Sequence, residues 1–217
     1  MKKLKLSQAE IDKLVVVERR VVKATVFNVG YNDSLFQSSI KGKAVWQYEL
    51  WKGLIKRTCD NKHRQGRSCY RDVTCCNEWL SFSNFVESVN KEVGYKGKPV
   101  NLDLDKDLII RGNRVYSPAT CSFVPQEVNR LLSSGKACRG KYPVGVVFNR
   151  TGGRLSVSLG CDAEKRYLGL YDTPEEAFAV YKAAKEAHVK VVADRYKEVL
   201  KPSVYDALMS WEVDILS

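Results

Sequence analysis

Between residues 154 and 159 the chain alternates strictly. Arg154, Ser156 and Ser158 interleave with Leu155, Val157 and Leu159, the period of a strand with one buried and one wetted face. Val144, Val146, Val147 and Phe148 before it, and Tyr167, Leu168, Leu170 and Tyr171 after it, predict two flanking strands. The period then changes. Ala177, Tyr181, Ala184 and His188 recur at three- and four-residue spacing, which is helical. Thr173 stands at the N-cap position, Pro174 suits the first turn, and Glu176 can close a capping box. The alanines predict a helix lying close behind a sheet whose outer face is polar and basic.

Upstream, Ser7 and Glu10 make a capping-box pattern ahead of Ile11, Leu14 and Val15, predicting a helix from residue 7 to about 20, then a strand from Val21 to Phe27. Gly30, Asn32 and Asp33 mark a turn. Tyr48, Leu50, Trp51, Leu54 and Ile55 give residues 45–56 a helical period. Trp79, Leu80, Phe82, Phe85, Val86 and Val89 predict core and a short helix ending near Gly94. Residues 94–99 form a Gly- and Lys-rich loop. Residues 102–129 have the order strand, loop, strand, helix, and residues 133–143 have the composition of a linker. A last short helix after Lys197 carries Tyr205, Leu208 and Trp211. The fold class expected is α+β, with an N-terminal extension over 1–27, a domain over 28–134, a second over 139–197 and a terminal helix in 198–217.

Charge sharpens the functional reading. Thirty-six Lys and Arg against 25 Asp and Glu give a net charge of +11 over 217 residues, which favours polyanionic partners. Lys52, Lys56, Arg57, Lys62, Arg64, Arg67 and Arg71 fall within twenty-one residues in which Asp60 is the only acid, a cluster able to neutralise phosphates. The start of the chain is basic without an apolar core, so no signal peptide is expected, and no stretch is long enough to span a membrane. A reducing cytoplasm is the expected compartment, with the seven cysteines mostly as thiols. Cys59, Cys69, Cys75 and Cys76 lie in one segment but form no Cys-x-x-Cys pair, so buried thiols are preferred to a zinc site.

The candidate chemistry sits in Asp103, Asp105, Lys106 and Asp107, followed by Asn113 and Asn129. A strand ending in carboxylates, a loop with an Asn and a helix returning another Asn offer oxygen ligands for one hard divalent ion, Mg²⁺ with Mn²⁺ as substitute. The alternative for Asp-Lys-Asp alone is a solvated turn.

Two segments resemble known families. Gly145-Val146, Tyr167-Leu168-Gly169 and Asp172-Thr173-Pro174-Glu175-Glu176-Ala177 with Tyr181 and Ala184 resemble the AP2/ERF-like DNA-binding domain of plants, also carried by phage nucleases. That resemblance implies a three-stranded antiparallel sheet plus helix whose sheet enters the major groove, with Arg150, Arg154, Ser156, Lys165 and Arg166 facing DNA; Tyr167 stands where the family has Trp. Residues 102–129, with Gly30-Tyr31-Asn32-Asp33, Trp51 to Cys59 and Glu78-Trp79-Leu80, resemble the ββα-metal (HNH-like, His-Me finger) nuclease domain of phage homing-type endonucleases. It implies Asp105 and Asn129 as metal ligands, Lys106 in the general-base position and Asn113 as the loop Asn that orients it. Arg57, Arg64 and Arg67 are expected to meet the backbone of double-stranded DNA. A monomer is expected, with no protein partner implied.

Lys106 departs from the family's His. A lysine flanked by Asp105 and Asp107 favours its protonated form, so a phosphate clamp is the competing role; His63 and His188 are the only histidines that could replace it. Three functions follow: a metal-dependent DNA endonuclease, a DNA-binding protein or repressor derived from one, and an RNA-binding or structural protein. The last is disfavoured because the A-form major groove is too narrow for the sheet.

Overall fold

The computed structural model describes residues 25–34, 38–67, 70–93, 101–132, 141–161 and 164–215. The helix expected over residues 7–20, the loop over 94–99 and most of the 133–143 linker lie outside them. The protein is of the mixed α+β class, built on small sheets. Its residues group into two compact units, 1–123 and 124–217.

In the first unit β1 (Thr25–Val26) and β2 (Gly30–Tyr31) form an antiparallel pair, as do β3 (Ser39–Ile40) and β4 (Lys43–Ala44). They precede α1 (Trp46–Cys59), which buries Trp51, Leu54, Ile55 and Thr58 at helical spacing. Trp51 is wholly buried, its ring 5.2 Å from that of Phe82, and its Nε1 donates to the Trp79 carbonyl at 2.8 Å. A Cβ on Gly30 would come within 2.9 Å of the Trp51 ring, so the Gly-Tyr-Asn-Asp run is glycine-led because a strand must lie against an indole. After α2 (Asn61–Gln65) come β5 (Thr74–Cys75), a 3₁₀ turn (Asn77–Leu80) and α3 (Phe82–Val93).

Asp33 fastens the start of α3 from fifty residues away. It accepts from the Ser83 amide at 3.0 Å and from Ser81 Oγ at 2.7 Å, satisfying a helix donor that otherwise has no partner. Partial burial opposes ionisation, but the Ser83 and Ser81 donors outweigh it and hold the carboxyl below its usual value. The stability it contributes is present above the ordinary aspartate pKa and is lost as pH falls through the depressed one. Asp33→Ala should cost about 1 kcal/mol at pH 7 and flatten the acid limb of a plot of Tm against pH; an unchanged acid limb would remove Asp33 from this role.

β6 (Leu102–Asp105) pairs with β8 (Ser122–Pro125), while β7 (Val115–Tyr116), between them in sequence, runs parallel to β5 instead. Glu92 Oε1 accepts from Ser122 Oγ at 3.0 Å and the Phe123 amide at 2.9 Å, fixing the start of β8 to the end of α3.

The second unit takes α4 (Gln126–Leu131), which the linker composition had assigned to the preceding domain. Lys185 Nζ donates to the Leu131 carbonyl, and Arg195 and Tyr196 both bond the Glu127 carboxylate at 2.6 Å, so long-range polar ties rather than chain composition set its allegiance. β9 (Val146–Asn149), β10 (Arg154–Cys161) and β11 (Glu164–Tyr171) form an antiparallel sheet with β10 in the centre. α5 (Pro174–Arg195) begins where Thr173 accepts from the Glu176 amide at 3.3 Å. Its first half buries Ala177 and Tyr181 against Leu155, Val157 and Leu159. Its second half buries Val189, Val192 and Ala193, and α6 (Pro202–Met209) packs on it, burying Val204 and Leu208.

Candidate active centre and sheet face

β6 ends in a turn built by its own last residue. Asp105 Oδ1 accepts from the amides of Asp107 at 2.9 Å and Leu108 at 2.8 Å. The side chain of Asp107 lies against the same carboxyl. Burial and then the charge of Asp107 push the Asp105 carboxyl up to about 6, against the pull of the two amides. A half-buried carboxylate beside a like charge is stabilised by a cation.

Asn113 holds the other side of the loop. Its Nδ2 donates to the Lys106 carbonyl at 2.6 Å and the Val115 carbonyl at 2.8 Å, while Oδ1 accepts from the Val115 amide. It therefore sets the backbone at Lys106 and does not touch the side chain. Lys106, its side chain 14% exposed, donates to Asp107 Oδ2 at 2.9 Å. An ammonium held by a carboxylate is a charge and a donor, with no lone pair to accept a proton. Its Nζ lies 5.8 Å from the centre of the Tyr116 ring, and the Arg57 guanidinium lies 5.5 Å from the same ring. Burial pushes the Tyr116 hydroxyl up to about 12 despite Arg57.

Asn129 stands on α4, so Asp105 and Asn129 belong to different units. Among the described residues no group of three or more His, Cys, Asp or Glu is placed to hold a metal ion. The donor chemistry still fits magnesium, which commonly takes one or two carboxylates and completes its shell with water and substrate phosphate. Cys59, Cys75, Cys76 and Cys121 are unpaired thiols. Burial raises Cys75, with neighbouring thiols adding to it, and pushes Cys121 up to about 12, which opposes the thiolates that zinc requires.

The basic cluster divides. Arg64 is turned inward on its own loop, donating to the carbonyls of Tyr70 and Arg71, and His63 stacks on Tyr70; both shape the segment after α2. Arg67 is exposed. His188 is partly buried on α5.

On the sheet, Arg154, Ser156 and Ser158 lie opposite the buried row, as the alternation predicts. Register then adds what alternation does not contain. Val157 pairs with Gly169 but Ser158 pairs with Tyr167, leaving Leu168 as an extra residue in β11, a β-bulge. Gly169, at φ +132°, supplies the backbone conformation there. The bulge turns Leu168 into the core and brings Tyr167, 61% exposed, beside Ser158, with Lys165 opposite Gly160. Arg166 pairs with buried Leu159, so the register sets it on the helix side of this edge strand, apart from Lys165. Val147, 59% exposed, and Leu170 flank Ser156 on either side. Arg154 is engaged with Asp172 through two bonds, Nε to Oδ1 at 2.7 Å and Nη2 to Oδ2 at 2.9 Å. Arg150 is exposed in the turn between β9 and β10.

Compared with known protein families, with curated proteins and with solved structures, the chain matches none. No helix among the described residues is long and apolar enough to cross a membrane.

Proposed function

We propose that the protein is a divalent-metal-dependent endonuclease of double-stranded DNA, with HNH-like chemistry in the first unit and an AP2/ERF-like sheet in the second that selects the site. The observation that carries this reading is the loop after β6: Asn113 clamps the Lys106 carbonyl while Asp105, half-buried beside Asp107, ends the strand. Asp105 would hold the ion. A bound Mg²⁺ or Mn²⁺ supplies charge stabilisation at the phosphate and leaving oxygen. Water attack would form a new P–O bond and break the bond to one bridging oxygen, which takes a proton from solvent as it leaves. Lys106, held as an ammonium by Asp107, contributes positive charge beside the phosphate, and solvent removes the proton from the attacking water.

In the second unit Arg150, Lys165 and, after exchange of Asp172 for phosphate, Arg154 would position the duplex, leaving Ser156, Tyr167, Val147 and Leu170 to meet base edges. Arg154→Ala should weaken binding and reduce the slope of log K against log salt by about 1, with turnover at saturating DNA unchanged. An unaltered salt slope would take Arg154 out of the interface.

The test of the activity is supercoiled plasmid and phage DNA incubated with Mg²⁺, with Mn²⁺ and with a chelator. Nicked or linear product only with metal is the expected result. Retarded but uncut DNA in every arm would overturn it in favour of a binding protein or repressor, the reading that the Lys106–Asp107 ion pair in the general-base position favours.

A further inference from the structure

Arg57 ends α1 in an unusual state. Among the described residues it makes no ion pair and no hydrogen bond, and its Nε is buried without a partner. Its one favourable contact is the face of Tyr116, itself only 6% exposed. An arginine that neither reaches a carboxylate nor uses a buried donor forgoes the charge-assisted bonds that make the guanidinium strong. Nothing in the packing of α1 requires a cation here, since the apolar side chains that hold the helix lie at Trp51, Leu54 and Ile55.

The neighbours give it a purpose. Lys106 reaches the same ring, so two cations meet one aromatic ring beside the β6 turn. Lys106 has Asp107 as counter-charge, and Arg57 has none among the described residues. Bringing two like charges together is unfavourable until an anion joins them. A guanidinium presents a planar fork that matches two oxygens of a phosphate, whereas an ammonium acts as a point charge.

We infer that Arg57 is the second cation of the phosphate-binding site: with Lys106, above Tyr116, it takes the non-bridging oxygens of the phosphodiester that is cut. This rests on the endonuclease reading and moves Arg57 out of the general backbone-binding cluster into the active centre. A shift of the side chain from its resting place to the phosphate gives its unpartnered donor an acceptor. The site would thus take an anion of phosphate geometry, with Asp105 as the residue that would hold the ion.

The experiment uses the full chain in two arms. In the first, cleavage of plasmid is measured at saturating DNA with Mg²⁺ for the wild type, Arg57→Lys and Arg57→Gln, alongside DNA affinity. Arg57→Gln should lose about 100-fold or more in turnover with less than about a tenfold change in affinity, and Arg57→Lys should recover part of the loss. In the second, ¹⁵N spectra of the wild-type arginine Nε–H groups are followed during titration with thymidine 3′,5′-bisphosphate in the presence of Ca²⁺; Arg57 is assigned as the signal missing from Arg57→Lys. That signal should move on titration. A wild type that cuts while Arg57→Gln cuts equally fast overturns the inference and leaves the endonuclease reading standing. A wild type that never cuts overturns the endonuclease reading, and the titration then decides separately, since an Arg57 signal that stays fixed removes it from any phosphate site.

Discussion

Asp105→Asn should leave the protein unable to cut DNA and, at neutral pH without metal, harder to unfold. The two effects have one cause. Burial and the charge of Asp107 raise the folded carboxyl from 3.8 to about 6, so the folded chain binds this proton more tightly than the unfolded chain does. Stability falls as pH rises from about 4 to about 6 and stays lowered above that. The penalty is on the order of 1–3 kcal/mol at pH 7.5. Asparagine keeps an oxygen for the amides of Asp107 and Leu108 and carries no charge. We expect Asp105→Asn to melt a few degrees higher at pH 7.5 and to lose that advantage at pH 4. Mg²⁺ should raise the Tm of the wild type and not of the variant. A variant less stable at pH 7.5, or one that still nicks plasmid, would be incompatible with a strained carboxylate serving as metal ligand.

Gly145→Ala should be among the most damaging single changes in the second unit. Gly145 has φ +78°, and a Cβ there would sit 2.0 Å from Cδ2 of Tyr181, closer than any packed atoms approach. Tyr181 is itself buried in the core with Leu155, Val157 and Leu159, which limits how far its ring can yield. The backbone strain and the steric overlap add, and a loss of roughly 3 kcal/mol or more follows. Denaturant unfolding of the full chain, followed through Trp211 in the second unit, should show this loss together with lost DNA affinity. Tyr181→Leu in the Gly145→Ala background should recover the steric part and leave the φ cost. A Gly145→Ala protein with an unchanged midpoint would mean that α5 can slide off the strand without loss.

Much of the local order is written in short spacings. The alternation from Arg154 to Leu159 coincides with β10, the three- and four-residue spacing from Ala177 with α5, and Thr173-Pro174 with the start of that helix. Tyr48 to Ile55 lie within α1. These features arise from periodicity and capping, which act between residues a few positions apart. The candidate site was legible in residue type: Asp105, Lys106 and Asn113 do share one loop. Less legible was how they share it, because whether Asn113 meets the side chain or the carbonyl of Lys106 depends on the path of the six residues between them.

What the sequence by itself determined, then, is the mixed class, the order of the three strands and the long helix of the second unit, the basic charge and the residues of the β6 turn, since each follows from composition or from neighbours along the chain. Tertiary structure alone decided the rest. It brought Asp33 to α3 across fifty residues, drew α4 to α5 through Glu127, paired β6 with β8 past β7, exposed Tyr167 through the bulge at Leu168, engaged Arg154 with Asp172 and set both Arg57 and Lys106 over the Tyr116 ring. In each case the partners are distant in the chain, and their meeting depends on how complete elements pack and pair, a balance of burial and hydrogen bonding that no local pattern encodes.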